Sequence, residues 1–139
     1  MATPDPIWLS KELVMALQEE SLARFGGLAG VRDMTLLESA LAKPQHVFAY
    51  DEHATIFTLA ASYCYGIIKN HAFLDGNKRA GLLATRAFLF LNGYAFVPPE
   101  VEAVTMIEQT AAGVYDEAAL ASWIEACSSQ RTSPPRTES

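Results

Sequence analysis

Two apolar runs flank a single dense polar segment, and that arrangement limits what this chain can fold into. The first run, ATIFTLAASYCYGII from Ala54 to Ile68, falls short of the roughly 20 apolar residues that cross a bilayer. It repeats instead at helical spacing through Ile56, Leu59, Ala60, Tyr63, Cys64 and Ile67. The second, AGLLATRAFLFLNG from Ala80 to Gly93, carries Arg86 and closes on Asn92-Gly93. Both are expected as core helices that pack on each other, with no membrane span. Between them HAFLDGN must form the turn, because Gly76 and its polar neighbours break the stripe near Asn70 and the next helix begins at about Asn77.

The rest of the chain supplies four more helices. Ser10 can cap one that turns Leu13, Val14, Leu17, Leu22 and Phe25 inward and stops at Gly26-Gly27. Asp33 or Thr35 can cap the next, with Glu38 as the capping-box partner of Thr35 and Pro44 as the stop. The stretch that follows, QHVFAYDE, is partly apolar and too short for a helix, so it is expected as an exposed, extended flap before a central helix from about His53 to Asn70. Pro98-Pro99 open a fifth helix bearing Val101, Val104, Met106 and Ile107, and Asp116 caps a sixth bearing Leu120, Trp123, Ile124 and Cys127. The expected fold is all-α, a six-helix bundle forming one domain over residues 1–127. Residues 128–139, SSQRTSPPRTES, lack core-forming side chains and are expected to be a disordered tail. Half of the 139 residues are apolar, enough for one core.

Charge narrows the function. The formal net charge is -6 and no Lys/Arg-rich run occurs, which argues against direct nucleic-acid binding as the main activity and leaves proteins or small molecules as partners. Cys64 and Cys127 have neither CxxC nor Cys/His spacing and follow no secretory leader, so they are expected as core thiols in a reducing cytoplasm. His46 and His53 have no regularly spaced metal-ligand partner and are expected at the surface. Arg86, seven residues after Arg79, is expected to bridge to an acid on a neighbouring helix. Tyr63, Tyr65 and Trp123 fall at helical spacing and are expected in the core, as is Phe73, which would pin the turn.

The polar turn carries the chemistry. A helix N-terminus presents unpaired N–H groups and about half a positive charge, so the amides at Gly76, Asn77 and Lys78 form an anion cup. Lys78 and Arg79 stand in the first turn of that helix, where a cation is locally unfavourable unless something negative binds beside it. That mismatch points to a phosphate. Asp75 offers the single carboxylate that Mg2+ commonly takes from protein beside phosphate oxygens and water, Asn77 can donate to phosphate, and His71 can accept a proton from an incoming hydroxyl. Together these groups describe phosphoryl or nucleotidyl transfer from a nucleotide to a hydroxyl. Each residue also has a plain structural role open to it: His71 and Asn77 as caps, Asp75-Gly76 as a turn pair, Lys78 and Arg79 as solvated charges.

His71, Phe73, Asp75, Gly76, Asn77, Lys78 and Arg79 match, in register, the motif HxFx[DE]GN[GK]R, and the segment resembles the Fic/Doc family. The helix order over about residues 7–127 is similar to the Doc (death-on-curing) branch. AMP-transferring members commonly read GNGR with a second arginine three residues on, whereas this chain has Lys78 and, at the later position, Leu82. The resemblance therefore implies a reversed nucleotide whose terminal phosphate faces the target hydroxyl: a protein kinase using ATP and Mg2+. Carried over residue by residue, it makes His71 the general base and Asp75 the Mg2+ ligand. Gly76, Asn77, Lys78 and Arg79 become the phosphate-holding groups, and the flap of Val47, Phe48, Ala49, Tyr50, Asp51 and Glu52 the docking edge for the target. It further implies a toxin of a toxin–antitoxin pair that modifies elongation factor Tu and arrests translation. AMP transfer, and a non-catalytic role in transcription control through the antitoxin complex, are the alternatives. Many Fic proteins silence themselves through [ST]xxxE[GN], but no glutamate here precedes glycine or asparagine. Restraint is therefore expected from a separate antitoxin whose amphipathic helix lies in a groove of this protein.

Overall fold

Helix boundaries follow the caps closely. In the computed structural model, which describes residues 5–131, Ser10 caps α1 (Lys11–Phe25) by accepting from the Leu13 N–H, and Asp33 caps α2 (Met34–Tyr50) by accepting from Leu36. Thr55 and Thr58 form a reciprocal capping box at the start of α3 (Ile56–Asn70). The next helix, α4 (Asn77–Leu91), begins after the polar turn and leads into a short strand, β1 (Tyr94–Phe96). Beyond it α5 (Glu100–Ala111) and α6 (Glu117–Ala126) follow, the latter capped by Asp116, and the described chain closes with β2 (Ser128–Gln130). Among the described residues the fold is all-α apart from an isolated Val31–Phe73 bridge and one antiparallel strand pair, in which Tyr94 faces Gln130 and Phe96 faces Ser128.

The central helix is α3, packed against α2, α4 and α6. Leu59, Ala60, Tyr63, Cys64 and Ile67 are buried on it as their spacing predicts, and Phe88 and Leu89 of α4 complete the adjoining core. Small residues set the helix separations. A Cβ on Gly81 of α4 would lie 3.0 Å from Ile68 Cγ1 and 3.2 Å from the Cys64 carbonyl, and one on Gly66 would meet Ala40 of α2 at 3.4 Å. The two helices that bear the ends of the polar turn are thus held in close contact, which fixes the geometry of anything built between them.

Several expectations need correction. Pro44 does not end the second helix: α2 continues through it to Tyr50. Proline removes the N–H that would bond to the Ala40 carbonyl, but continuation buries Pro44 and brings Val47 and Phe48 onto the core, with Phe48 edge-on to Trp8 at 5.8 Å. Val47, Phe48, Ala49 and Tyr50 are therefore helical, not an extended flap, and only Asp51 and Glu52 lie in the turn that follows, where the Asp51 side chain accepts from the His53 N–H. Ordered structure also runs past residue 127, because Ser128–Gln130 pairs with β1 and the Arg131 guanidinium stacks on Phe90 at 4.1 Å. The expectation for residues 132–139 lies outside the described residues. Finally, Phe25 points outward and is 64 % exposed.

Arg86 is exposed and makes no ion pair among the described residues, so it is neither the expected bridge nor part of the turn's surroundings. His46 and His53 are exposed, as expected. No described helix is long and apolar enough to cross a membrane.

Cys64 is buried, and that burial pushes its thiol up to about 12, slightly opposed by a hydrogen bond with Thr85. A neutral thiol is the form the core accepts. Since the unfolded thiol titrates near 9, this contribution to stability is complete below that pH and declines as the pH rises from about 9 towards 12. A thiol reagent at pH 8 is expected to spare Cys64 until the protein is unfolded. Cys127, half-exposed, is expected to react first, slowed by partial burial and by the neighbouring Glu102 carboxylate, both of which raise its thiol. Peptide mapping after timed alkylation checks the order.

Candidate functional site

The polar turn is set by a backbone that few residues adopt readily. His71 ends α3 in the left-handed region (φ 52°, ψ 48°), the single non-glycine residue with positive φ among the described residues. Such a conformation costs about 1–2 kcal/mol, so its surroundings must impose it. Arg32 does so from the loop between α1 and α2: its Nε donates to the His71 carbonyl at 2.8 Å and a terminal nitrogen to the Asn70 carbonyl at 3.1 Å. The backbone N–H groups of Arg32 and Asp33 both donate to the Ala72 carbonyl, at 2.7 and 3.0 Å. Val31 forms a bridge with Phe73, and Leu74 N–H reaches the Gly30 carbonyl. The backbone that pairs with the motif is thus residues 30–33, in the loop between α1 and α2, not 47–52.

Asn77 closes the turn from within. It is 4 % exposed; its Oδ1 accepts from the Phe73 N–H and its Nδ2 donates to the Phe73 carbonyl, each at 3.0 Å. Both ends of the amide are therefore engaged with the Phe73 backbone, so the side chain clamps the turn. Phe73 is buried, as expected of the anchor that Asn77 holds. Gln18 of α1, also buried, donates to the Asp75 carbonyl at 3.1 Å.

Asp75 faces the other way and is exposed. One carboxylate oxygen accepts from the Gly76 N–H at 2.9 Å and the other from the Leu28 N–H at 3.2 Å, which orients the group while each oxygen keeps a free lone-pair direction. Gly27 is what lets the chain pass: with φ 127°, a Cβ there would sit 3.0 Å from Asp75 Oδ2 and 2.7 Å from Leu22. Gly76, at φ 72°, begins α4 with no side-chain cap. The first bond within that helix is from Ala80 to the Gly76 carbonyl, so the N–H groups of Asn77, Lys78 and Arg79 have no acceptor among the described residues. These are the orphan donors of a helix N-terminus, an arrangement able to receive an anion.

Those amides open into a pocket of about 700 Å³. His71, Asp75, Gly76, Asn77, Lys78 and Arg79 all contribute to its lining, so the structure brings the motif residues together around one cavity. None of Val47 to Glu52 belongs to it. The opposite wall is α5, through Val104, Ile107, Glu108 and Ala111, with Lys69 at the rim donating to the Ala111 carbonyl at 3.3 Å. Lys78 Nζ lies 3.0 Å from Glu108 Oε2, and the Arg79 guanidinium stacks over Phe25 at 4.3 Å. The expected mismatch of two cations at a helix N-terminus is therefore partly relieved within the chain: Lys78 has a carboxylate, while Arg79 has an aromatic face and no anion.

Gln18, Lys69, Arg32 and Glu108 are the contributors that the sequence did not single out. For Gln18 a signal existed, since Val14, Gln18 and Leu22 share one helical stripe and an amide there needs a buried partner. Arg32 and Glu108 act over 39 and 30 residues of sequence, and no local pattern marks them.

A six-helix fold that presents a histidine, one oriented carboxylate and an uncapped helix N-terminus to a single pocket defines the class, and comparison with known proteins agrees: residues 8–89 match the Fic/DOC family, to which this chain belongs. Its relatives fall in the Doc branch. The chain is 33 % identical over 99 residues, 70 % of its length and 79 % of the relative's, to the protein kinase doc of Escherichia phage P1. It is 41 % identical over 70 residues, half of its length and 54 % of the relative's, to the toxin Doc of Mycolicibacterium smegmatis.

Proposed function

We propose that this protein is a Doc-type toxin that transfers the terminal phosphate of ATP to a serine or threonine hydroxyl of a translation protein, with elongation factor Tu as the target. The observation that carries the reading is the pocket: three N–H groups without acceptors, two motif cations and a histidine bound one cavity of about 700 Å³, a size suited to a nucleotide. The printed names of the relatives, a protein kinase and a toxin, support the same assignment.

In this reading the α4 N-terminus receives the phosphate chain through the backbone N–H groups of Asn77, Lys78 and Arg79, the Gly76 N–H being taken by Asp75, and the Arg79 and Lys78 side chains neutralise its charge. The Asn77 side chain contributes by holding the turn, and only its backbone N–H faces the phosphate. Exposed at the end of α3, His71 accepts the proton of the target hydroxyl as that oxygen attacks. Asp75 suits Mg2+: its oxygens are oriented by two N–H donors and remain open on their other sides, and a single protein carboxylate beside phosphate oxygens and water is an ordinary Mg2+ environment. Bound there, the ion would offset charge on the phosphate chain. Lys78 favours phosphate over AMP transfer, because its side chain lines the pocket where the AMP-transferring members have none.

Restraint by a separate antitoxin belongs to the same reading, as does a cytoplasmic site of action. The pocket is testable without knowing the target. Millimolar ATP with Mg2+ should raise the thermal midpoint of the antitoxin-free protein, since a ligand bound to the folded state stabilises it. An unchanged midpoint with ATP and with ADP would instead favour the non-catalytic interaction protein.

A further inference from the structure

Glu108 is the one acid of α5 that lines the pocket, and its carboxylate lies 3.0 Å from the ammonium of Lys78, a motif cation. It reaches there from a helix that contributes nothing to the polar turn, across the cavity that the turn faces. The ion pair is about half-exposed on both sides, so it adds little to stability and is easily exchanged for another anion. It does, however, answer the unfavourable position of Lys78 in the first turn of α4. We propose that Glu108 is the resident counter-ion of the phosphate site, a positioning residue that holds Lys78 over the pocket and weakens the binding of any anion that takes Lys78 from it.

This rests on the nucleotide reading above and deepens it. A phosphate oxygen that takes Lys78 must either displace the carboxylate or lie beside it, and in both cases Glu108 opposes binding. The opposition is Coulombic and grows with the charge of the incoming group, so it weighs on a polyphosphate at least as heavily as on orthophosphate. Removing the carboxylate should therefore strengthen anion binding, an outcome that damage to the fold would not produce.

The test is calorimetric binding of Mg2+-free tripolyphosphate, of orthophosphate and of ATP with Mg2+ to the full chain and to two variants. Glu108→Gln removes the counter-ion. Glu100→Gln removes an equal charge from the exposed first turn of the same helix, outside the pocket, and controls for net charge. Glu108→Gln is expected to bind tripolyphosphate about 3- to 10-fold tighter at low salt, with the gain shrinking as salt is raised. Its gain for tripolyphosphate should be at least as large as for orthophosphate, and Glu100→Gln should match the parent. Equal or weaker binding by Glu108→Gln, or an equal gain from Glu100→Gln, overturns the role of Glu108 while leaving the pocket assignment intact. Failure of every form to bind tripolyphosphate or ATP overturns the nucleotide reading itself, and this inference with it.

Discussion

Replacing His71 by alanine should lower phosphate transfer by about 10² to 10⁴, the usual worth of a positioned general base, while leaving nucleotide binding unchanged. The side chain is exposed at the pocket rim, so its removal disturbs little packing. Its backbone is another matter, because φ 52° is imposed by the Arg32 contacts whatever the side chain. His71→Gly should be as inactive as His71→Ala but more stable than it by about 1 kcal/mol, since glycine adopts the left-handed region without a Cβ clash. Measuring rate and urea midpoint on both variants separates the chemistry of the imidazole from the strain of its setting. Transfer by His71→Ala at the parent rate would remove the base from the account.

Asn77→Ala should have the largest effect on the fold of any substitution among the polar motif residues. Two hydrogen bonds to the Phe73 backbone vanish inside a buried site, and the Phe73 N–H and carbonyl lose their partner. A loss of about 2–4 kcal/mol is expected from two such deletions, read as a shift of the urea midpoint at constant slope. Asn77→Asp keeps the acceptor for the Phe73 N–H but turns a carboxylate oxygen towards the Phe73 carbonyl, so it should recover little. Were Asn77 primarily a phosphate ligand, alanine would instead weaken nucleotide binding and leave stability close to that of the parent.

The contrast between Asn77 and Asp75 shows how far sequence reached. Spacing placed both on one turn, and that turn lies where expected because caps and apolar stripes are local signals: Ser10, Asp33 and Asp116 each accept the bond their position predicts. Spacing does not say which way an amide points. Burial of Phe73 drew Asn77 inward, whereas the Leu28 and Gly76 N–H groups turned the Asp75 carboxylate outward. Pro44 misled for a related reason, since the lost backbone bond is a local penalty and the burial of Pro44 with the docking of Phe48 is a tertiary gain. Glu108 and Arg32 were invisible because their partners are brought to them only by the packing of α5 and of the α1–α2 loop against the turn.

The polar turn thus serves two ends: Arg32, Gln18 and Asn77 hold its backbone, and His71, Asp75, Lys78 and Arg79 face the pocket. The central claim, that this pocket passes the terminal phosphate of ATP to a protein hydroxyl, is tested most directly by label position. Antitoxin-free protein is incubated with Mg2+ and either γ-labelled or α-labelled ATP in the presence of translation factors, elongation factor Tu among them. The account predicts label on the acceptor protein from γ-labelled ATP alone, with release of ADP and with loss of transfer in His71→Ala. Label carried over from α-labelled ATP would make the protein an AMP transferase, and would contradict the orientation assigned to the nucleotide.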